Sequence, residues 1–255
     1  MIKKNKNFFE KYSRQMIMDQ VGIKGQDKIM KTAISIIGCG GLGTSVAQYL
    51  SMSGISNFSL VDYDSIVMSN LNRQTLFTEK DIGRKKSEVL SKKIKEINNL
   101  AKIAYFDEKV TSSNIHNFID KKSIVLDCTD NFQSRLLINE YCNHNKKILV
   151  SAAIQNFDIQ AFKLAPWMND ENPCYKCIFP ELINDNEESC DEMGIISSVA
   201  GLAGLLQANL TINYILGLNT NFNEFILLDC INLDMKKISI KKDKHCKICN
   251  LNIQS

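Results

Sequence analysis

Residues 31–64 constrain this chain more than any other stretch. An apolar run, Ile34, Ser35, Ile36, Ile37, leads into Gly38, Cys39, Gly40, Gly41, Leu42, Gly43, and residues 44–53 have helical composition. The order strand, glycine turn, helix predicts an α/β fold with a Rossmann-like, doubly wound, mostly parallel sheet. A second apolar run, residues 58–61, ends in Asp62, Tyr63, Asp64. That puts a carboxylate about 20 residues beyond the glycines, where a ribose hydroxyl would need it. Glycines permit a tight turn and close backbone approach, and the free amides at the helix start attract phosphate. A bare glycine pattern also suits a simple packing turn; strand, helix and downstream Asp together point to a nucleotide site.

At 255 residues and 44% apolar content the chain is long and apolar enough for one large α/β domain or two small ones. Its net charge of +3, with lysines scattered among acids, argues against a nucleic-acid surface. Residues 1–11 are Lys-rich but no apolar segment follows, so no secretory signal is expected and the cytoplasm is the expected location. The longest apolar stretch, residues 195–218, is interrupted by Gln207, Asn209, Thr211 and Asn213 and reads as a core helix, not a membrane span. Nine cysteines, an odd number, argue against a simple disulfide framework and for metal or thiol chemistry.

Residues 8–30 carry apolar positions at helical spacing with a break at Gly22 to Gly25, so two helices precede the nucleotide strand. The polar run Ser69, Asn70, Leu71, Asn72, Arg73, Gln74 cannot be a core strand and lies on the surface or over a ligand; taken alone, Arg73 is an ordinary solvated charge. Residues 85–98 form an amphipathic helix whose first-turn Lys86 opposes the helix dipole, which is easier to explain with an anion nearby. Strands at 103–106, 123–126 and 147–150 and helices at 113–119 and 132–143 complete the core. The 123–126 strand ends in Asp127, Cys128, Thr129, Asp130, Asn131, at the carboxyl edge where ligands of such sheets sit. Asp130 there either ligates Mg²⁺ or caps the following helix. After Ser151 the period changes: Phe157, Ile159, Ala161, then residues 225–228 and 238–240, read as an antiparallel extension. No linker separates the halves. The expected organisation is one domain over 1–255, with N-terminal helices at 8–30, a nucleotide core at 31–150 and an extension at 151–255.

Cys174 and Cys177, and Cys246 and Cys249, are two pairs of matching spacing. Together they complete a Cys₄ site, read as a structural zinc that staples the extension; the alternative is two free or redox-active pairs. Cys39, Cys128, Cys142 and Cys230 stand in apolar or strand contexts and are expected to be buried. Cys190 lies in an acidic loop, where Glu187, Glu188, Asp191 and Glu192 disfavour a thiolate, so it is either a catalytic thiol or an accessory loop residue.

As an ordered set, these motifs resemble the ThiF/MoeB/HesA adenylyltransferases, bacterial relatives of ubiquitin-activating enzymes. The resemblance runs over nearly the whole chain: Tyr12, Ser13, Arg14, Gln15; the 38–43 glycines; 61–64; 69–74; 81–86; 127–131; and both cysteine pairs. It implies ATP on the glycine turn (Gly38, Gly40, Gly41, Gly43) and adenylation of the C-terminal Gly-Gly carboxylate of a ubiquitin-like sulfur-carrier protein, with release of pyrophosphate. It further implies that Asp130 holds Mg²⁺, Asp62 bonds the ribose with Asp64 beside it, and Gly41 contacts the nucleotide by its backbone. Ser69, Asn70 and Asn131 would line the nucleotide site, Asn70 helping to place the phosphates, and Arg14, Arg73 and Lys86 would supply cations. Arg14 would reach in from a second subunit, so a homodimer is implied. The chemistry agrees: a carboxylate is ionised at pH 7 and needs no general base, only cancellation of crowded negative charge.

Two motifs depart from the family's pattern. Gly83, Arg84, Lys85, Lys86 has Lys85 where a proline is usual, so Lys85 could compete with Lys86, and Asn72 replaces a glutamine. With no sulfurtransferase domain after Cys249, a separate sulfur donor is expected. The carrier is of thiamine or molybdopterin type. Residues 195–204 and 164–167 lean toward the thiamine type, but both branches place a cysteine at Cys190 and the pathway stays open. An NAD-dependent oxidoreductase would fit the glycine turn and Asp62 but leaves Arg14, Arg73, Lys86 and Asp130 unexplained. A non-catalytic carrier-binding scaffold, or adenylation of another peptide C-terminus, are the remaining alternatives.

Overall fold

The computed structural model describes residues 6–119, 121, 124–180 and 194–250. Helices α1 (Lys6–Met16) and α2 (Gly22–Lys31) precede β1 (Ala33–Ile37), α3 (Gly41–Ser53) and β2 (Asn57–Val61). Two short 3-10 turns, Met68–Asn70 and Glu79–Asp81, lead to α4 (Lys86–Ile97), β3 (Lys102–Phe106), α5 (Ile115–Ile119), β4 (Ile124–Asp127), α6 (Phe132–His144) and β5 (Ile148–Gln155). The rest is β6 (Asp158–Leu164), α7 (Tyr175–Ile178), α8 (Ser197–Leu216), β7 (Glu224–Asp229) and β8 (Asp234–Ser239).

One sheet orders the strands β3-β2-β1-β4-β5-β6-β7-β8. The pairs from β3 to β5 are parallel and those from β5 to β8 antiparallel, as expected. The register aligns Ile37 with both Val61 and Asp127, and Asp127 with Ser151. Three strand ends therefore open at one level, on either side of the point where chain order reverses between β1 and β4.

Boundaries differ from expectation where turn geometry decides them. α3 begins at Gly41, three residues before the segment with helical composition, because Gly41 and Gly43 form its first turn. β5 does not stop at Val150: it continues to Gln155 and pairs Ala152 with Ala161 and Gln155 with Asp158. Phe157 is accordingly in the hairpin turn, next to Asn156 at φ 55°, and not in a strand. β8 starts at Asp234 because it pairs with β7 from Asp229 onward, and all its residues are exposed. A strand wet on both faces has no apolar alternation, so only its Ile238 end was visible to a periodicity argument.

One face of the sheet packs Ile36, Phe58, Leu60 and Leu126 against residues of α3, α4 and α8, including Val46, Leu50, Leu90 and Ala208. The other packs Val61, Val125 and Leu149 against α5 and α6 through Ile115, Phe118 and Ile138. α8 is long and apolar enough to cross a membrane by composition, yet it lies on α3, β5 and β6 with Gln207 and Thr211 fully buried. Gln207 Nε2 donates to the Asp127 and Val150 carbonyls, each at 2.9 Å, and Thr211 Oγ1 to the Gln207 carbonyl at 2.8 Å. These polar groups are satisfied inside the protein, as a core helix requires.

At the α3–α8 crossing, a Cβ on Gly204 would stand 2.7 Å from Ser45 Cβ and 2.8 Å from the Leu42 carbonyl oxygen. Overpacking of this kind costs about 1–3 kcal/mol. Gly204→Ala is therefore expected to lower unfolding stability by that amount in urea titration, with the slope of the transition unchanged.

Candidate functional site

The cleft opens at the carboxyl ends of β1, β2 and β4. Gly38 N–H donates to the Val61 carbonyl at 2.9 Å and Cys128 N–H to the Ile37 carbonyl at 2.8 Å, so the three strand ends are stitched together under the glycine turn. Gly38 has φ +93°, and a Cβ there would meet the Cys128 oxygen at 2.5 Å; a Cβ on Gly43 would meet the Gly38 oxygen at 2.0 Å. Larger residues do not fit at either position. Gly40, at the N-cap of α3, offers no side-chain cap, and Gly40 and Gly41 line the cleft. The first amides of α3 are thus left for an anion.

Asp62 is buried at the end of β2 and works in two directions. Its Oδ2 accepts the Cys39 N–H at 2.7 Å and its Oδ1 the Asp64 N–H at 2.8 Å. Burial pushes its pKa up, opposed by Lys86 and by these two bonds. Each carboxylate oxygen keeps a second lone pair, which suits a ribose hydroxyl. Asp64 follows on the cleft wall.

Lys86 is the first residue of α4 and buried, and its Nζ stands 2.7 Å from Asp64 Oδ2. The anion that a lysine at a helix start calls for is here a carboxylate of the site itself. Lys85 does not compete: its Nζ donates to the Tyr63 carbonyl at 2.7 Å, and Lys86 lines the cleft. Arg73 also lines it, with Nη1 donating to the Ser69 carbonyl at 2.9 Å and to Asn72 Oδ1 at 3.2 Å. A polar hollow adjoins the cleft and shares Asp64, Arg73 and Lys86 with it; Ser69 and Asn70 also line it, and Asn70 Oδ1 accepts the Val67 N–H at 3.2 Å.

Asp130 is exposed on the opposite wall. Asn131, not Asp130, caps α6, its Oδ1 accepting the Ser134 N–H at 2.9 Å, while its Nδ2 reaches Asp130 Oδ1 at 3.3 Å. Under this loop lies a pair that sequence reasoning gave no role. Arg135 and Asp127 are both buried, with Nη1 3.4 Å from Asp127 Oδ2, 3.1 Å from Ser151 Oγ and 3.2 Å from the Ala152 carbonyl. Arg135 Nη2 donates to the Thr129 carbonyl, and Asp127 Oδ1 accepts Thr129 N–H at 3.0 Å and Oγ1–H at 2.6 Å. The loop bearing Asp130 is therefore bolted to β4 and β5. A lone arginine one turn into α6, on its strand-facing side, was the available signal.

Arg14 is exposed on α1 and does not line this cleft. Cys190 lies outside the described residues. Cys39 and Cys142 are buried as expected, but Cys128 and Cys230 are only half-buried: Cys128 opens onto the cleft and Cys230 sits in the turn after β7.

The sulfurs of Cys174, Cys177, Cys246 and Cys249 all lie within 4.8 Å of one another. Cys174–Cys177 measures 3.8 Å, Cys174–Cys246 3.6 Å and Cys177–Cys249 3.5 Å. A zinc–sulfur bond of about 2.3 Å gives tetrahedral edges of about 3.8 Å, so the set fits zinc. Cys177 Sγ also accepts the Asp243 N–H at 3.4 Å. The stacked rings of Phe162 and Phe225, 5.4 Å apart, and Tyr175 against Phe179 at 4.8 Å seat α7 on the sheet.

The two lysines make a direct prediction. Removing a charged hydrogen-bond partner of a phosphate costs about 1.5–3 kcal/mol, roughly tenfold to a hundredfold in affinity. Calorimetric titration with ATP should show that loss for Lys86→Ala, and a change below about threefold for Lys85→Ala, whose bond is an exposed one to a carbonyl.

This chain is 33% identical over 246 residues to the sulfur carrier protein ThiS adenylyltransferase of Escherichia coli (strain K12), covering 96% of each chain. It is 31% identical to the sulfur carrier protein adenylyltransferase of Thermus thermophilus, covering 96% of this chain and 92% of that one. An adenylyltransferase and sulfurtransferase MOCS3 of Xenopus laevis is 33% identical, with 94% of this chain matching 53% of that protein. Among solved structures, E. coli MccB with ATP superposes with a TM-score of 0.80 at 23% identity, over 94% of this chain and 74% of that one, and shares the fold. Residues 12–250 match the ThiF family, and the chain is a member of it.

Proposed function

We propose that this protein is an ATP-dependent adenylyltransferase that activates the C-terminal Gly-Gly carboxylate of a small ubiquitin-like sulfur carrier. The observation that carries the reading is the wall of Arg73 and Lys86 shared by the glycine-lined cleft and the polar hollow beside it. A triphosphate laid from Gly40 and Gly41 toward Ser69 and Asn70 would meet both cations.

The carrier carboxylate, ionised at pH 7, attacks the α-phosphorus; a new phosphorus–oxygen bond forms, the bond to the β-phosphate oxygen breaks, and pyrophosphate leaves. Lys86 and Arg73 offset the charge that accumulates as the two anions close. Asp62 orients the ribose and Asp64 holds Lys86 in place. Asp130, with Asn131 beside it, would hold Mg²⁺, which supplies further neutralisation of the phosphate oxygens. The Cys174, Cys177, Cys246 and Cys249 set would hold zinc as a structural clamp with no open coordination position. Arg14, exposed and away from its own cleft, suits a role in the cleft of a second copy, so the active form is read as a homodimer. Residues 1–255 act as one adenylation domain in the cytoplasm, a separate donor supplies sulfur, and Cys190 is a candidate for the transfer step. The carrier is of thiamine or molybdopterin type, and the thiamine type is the first to test because a ThiS-named relative is 33% identical over 96% of this chain.

ATP–pyrophosphate exchange with each carrier type, and with carriers lacking the terminal glycine, tests the reading: exchange requires one intact carrier. Asp130→Ala should lower exchange by about a hundredfold or more and leave carrier binding within about threefold, because it removes charge neutralisation and no docking contact. Unchanged exchange would take Asp130 out of the mechanism. Metal analysis should return one zinc per chain, and chelation should lower the midpoint of thermal unfolding.

A further inference from the structure

We infer that Asn139 and Asn143 of α6 set the distance between the two cysteine pairs and act as positioning residues for the metal those pairs would hold. This rests on the zinc reading above. The pairs are far apart in sequence, Cys174 standing 72 residues from Cys246, so chain connectivity leaves their separation free. α6 is the element that both touch. Asn139 Oδ1 accepts the backbone N–H of Tyr175 at 2.9 Å, and Tyr175 directly follows Cys174. Asn143 Nδ2 donates to the backbone carbonyl of Ile248 at 2.9 Å, and Ile248 directly precedes Cys249. The two asparagines are four residues apart, on one face of the helix. Each cysteine pair is thus tied to the same rigid rod by one side-chain amide.

Both asparagines are buried, and each leaves one amide atom there without a hydrogen-bond partner: Nδ2 of Asn139 and Oδ1 of Asn143. An apolar residue would carry no such cost at these positions, so burial alone does not explain an amide there. What the amides provide is the pair of backbone bonds one residue from a cysteine on each side. With those bonds in place the sulfurs that face each other across the two pairs stand 3.6 Å (Cys174–Cys246) and 3.5 Å (Cys177–Cys249) apart, near the edges of a thiolate tetrahedron, so the ion need not draw two separate segments together on binding. The role matches that of outer-shell partners of metal ligands, whose removal weakens metal binding about 10- to 100-fold.

The test is zinc affinity by chelator competition, with the sulfur-to-metal charge-transfer band of the cobalt-loaded protein as a second readout. Asn139→Leu and Asn143→Leu should each weaken zinc binding about 10- to 100-fold and alter the cobalt band. Asn145→Ala, at the residue that follows α6 and whose side-chain amide donates to the Tyr141 carbonyl, should leave both unchanged. If the leucine variants do not fold, the aspartates separate the bonds by chemistry. Asn139→Asp keeps an acceptor for the Tyr175 N–H, whereas the ionised carboxylate of Asn143→Asp has no donor for Ile248, so affinity should fall further at 143. Affinities within twofold of wild type in all variants would overturn the assignment. Wild-type protein that binds neither zinc nor cobalt, just as Cys174→Ser protein would, removes the zinc reading itself and the positioning role with it; adenylation activity is decided separately by the exchange assay.

Discussion

The Asp62 carboxylate accepts one backbone N–H from the glycine turn and one from the loop after β2, and the nucleotide cleft depends on that double acceptance. A buried carboxylate is costly unless its lone pairs are used, and Asp62 is held by two backbone donors and by the nearby Lys86 charge. The same group that shapes the turn therefore faces the cleft, so structure and ligand contact are hard to separate at this residue.

The opposite wall solves the same problem with a buried ion pair. Breaking such a pair by removing one partner typically costs about 3–5 kcal/mol, because a charge is left buried alone. Asp127 and Arg135 are embedded in bonds to Ser151, Ala152 and Thr129, so the loop carrying Asp130 has little freedom although Asp130 itself is exposed. In the proposed role of metal ligand, Asp130 would stay solvated until the ion arrives while its backbone stays fixed. The buried pair supplies the fixity and the exposed position supplies the solvation.

α6 connects this wall to the far side of the molecule. It starts at Asn131 in the cleft and ends beside both cysteine pairs, so the extension, its cysteine cluster and the Asp130 loop share one helix.

The sequence by itself determined the strand, glycine turn and helix of the cleft, the parallel core with its antiparallel extension, and the pairing of the cysteines. Those features are written in local spacing: apolar runs of strand length, glycines where a Cβ would strike Cys128 or Gly38, and thiols with two residues between them. Only the tertiary structure decided which of two adjacent lysines enters the cleft, that Asn131 and not Asp130 caps α6, and that β5 runs through the point where its pattern changes. Those outcomes turn on which backbone group a flexible side chain finds: Tyr63 for Lys85, Ser134 for Asn131. The Asp127–Arg135 pair left only a lone arginine as its signal, and the ties from Asn139 and Asn143 left none, since their partners lie on other elements of the chain. Local order leaves a one-dimensional signature; a hydrogen bond across 36 or 105 residues does not.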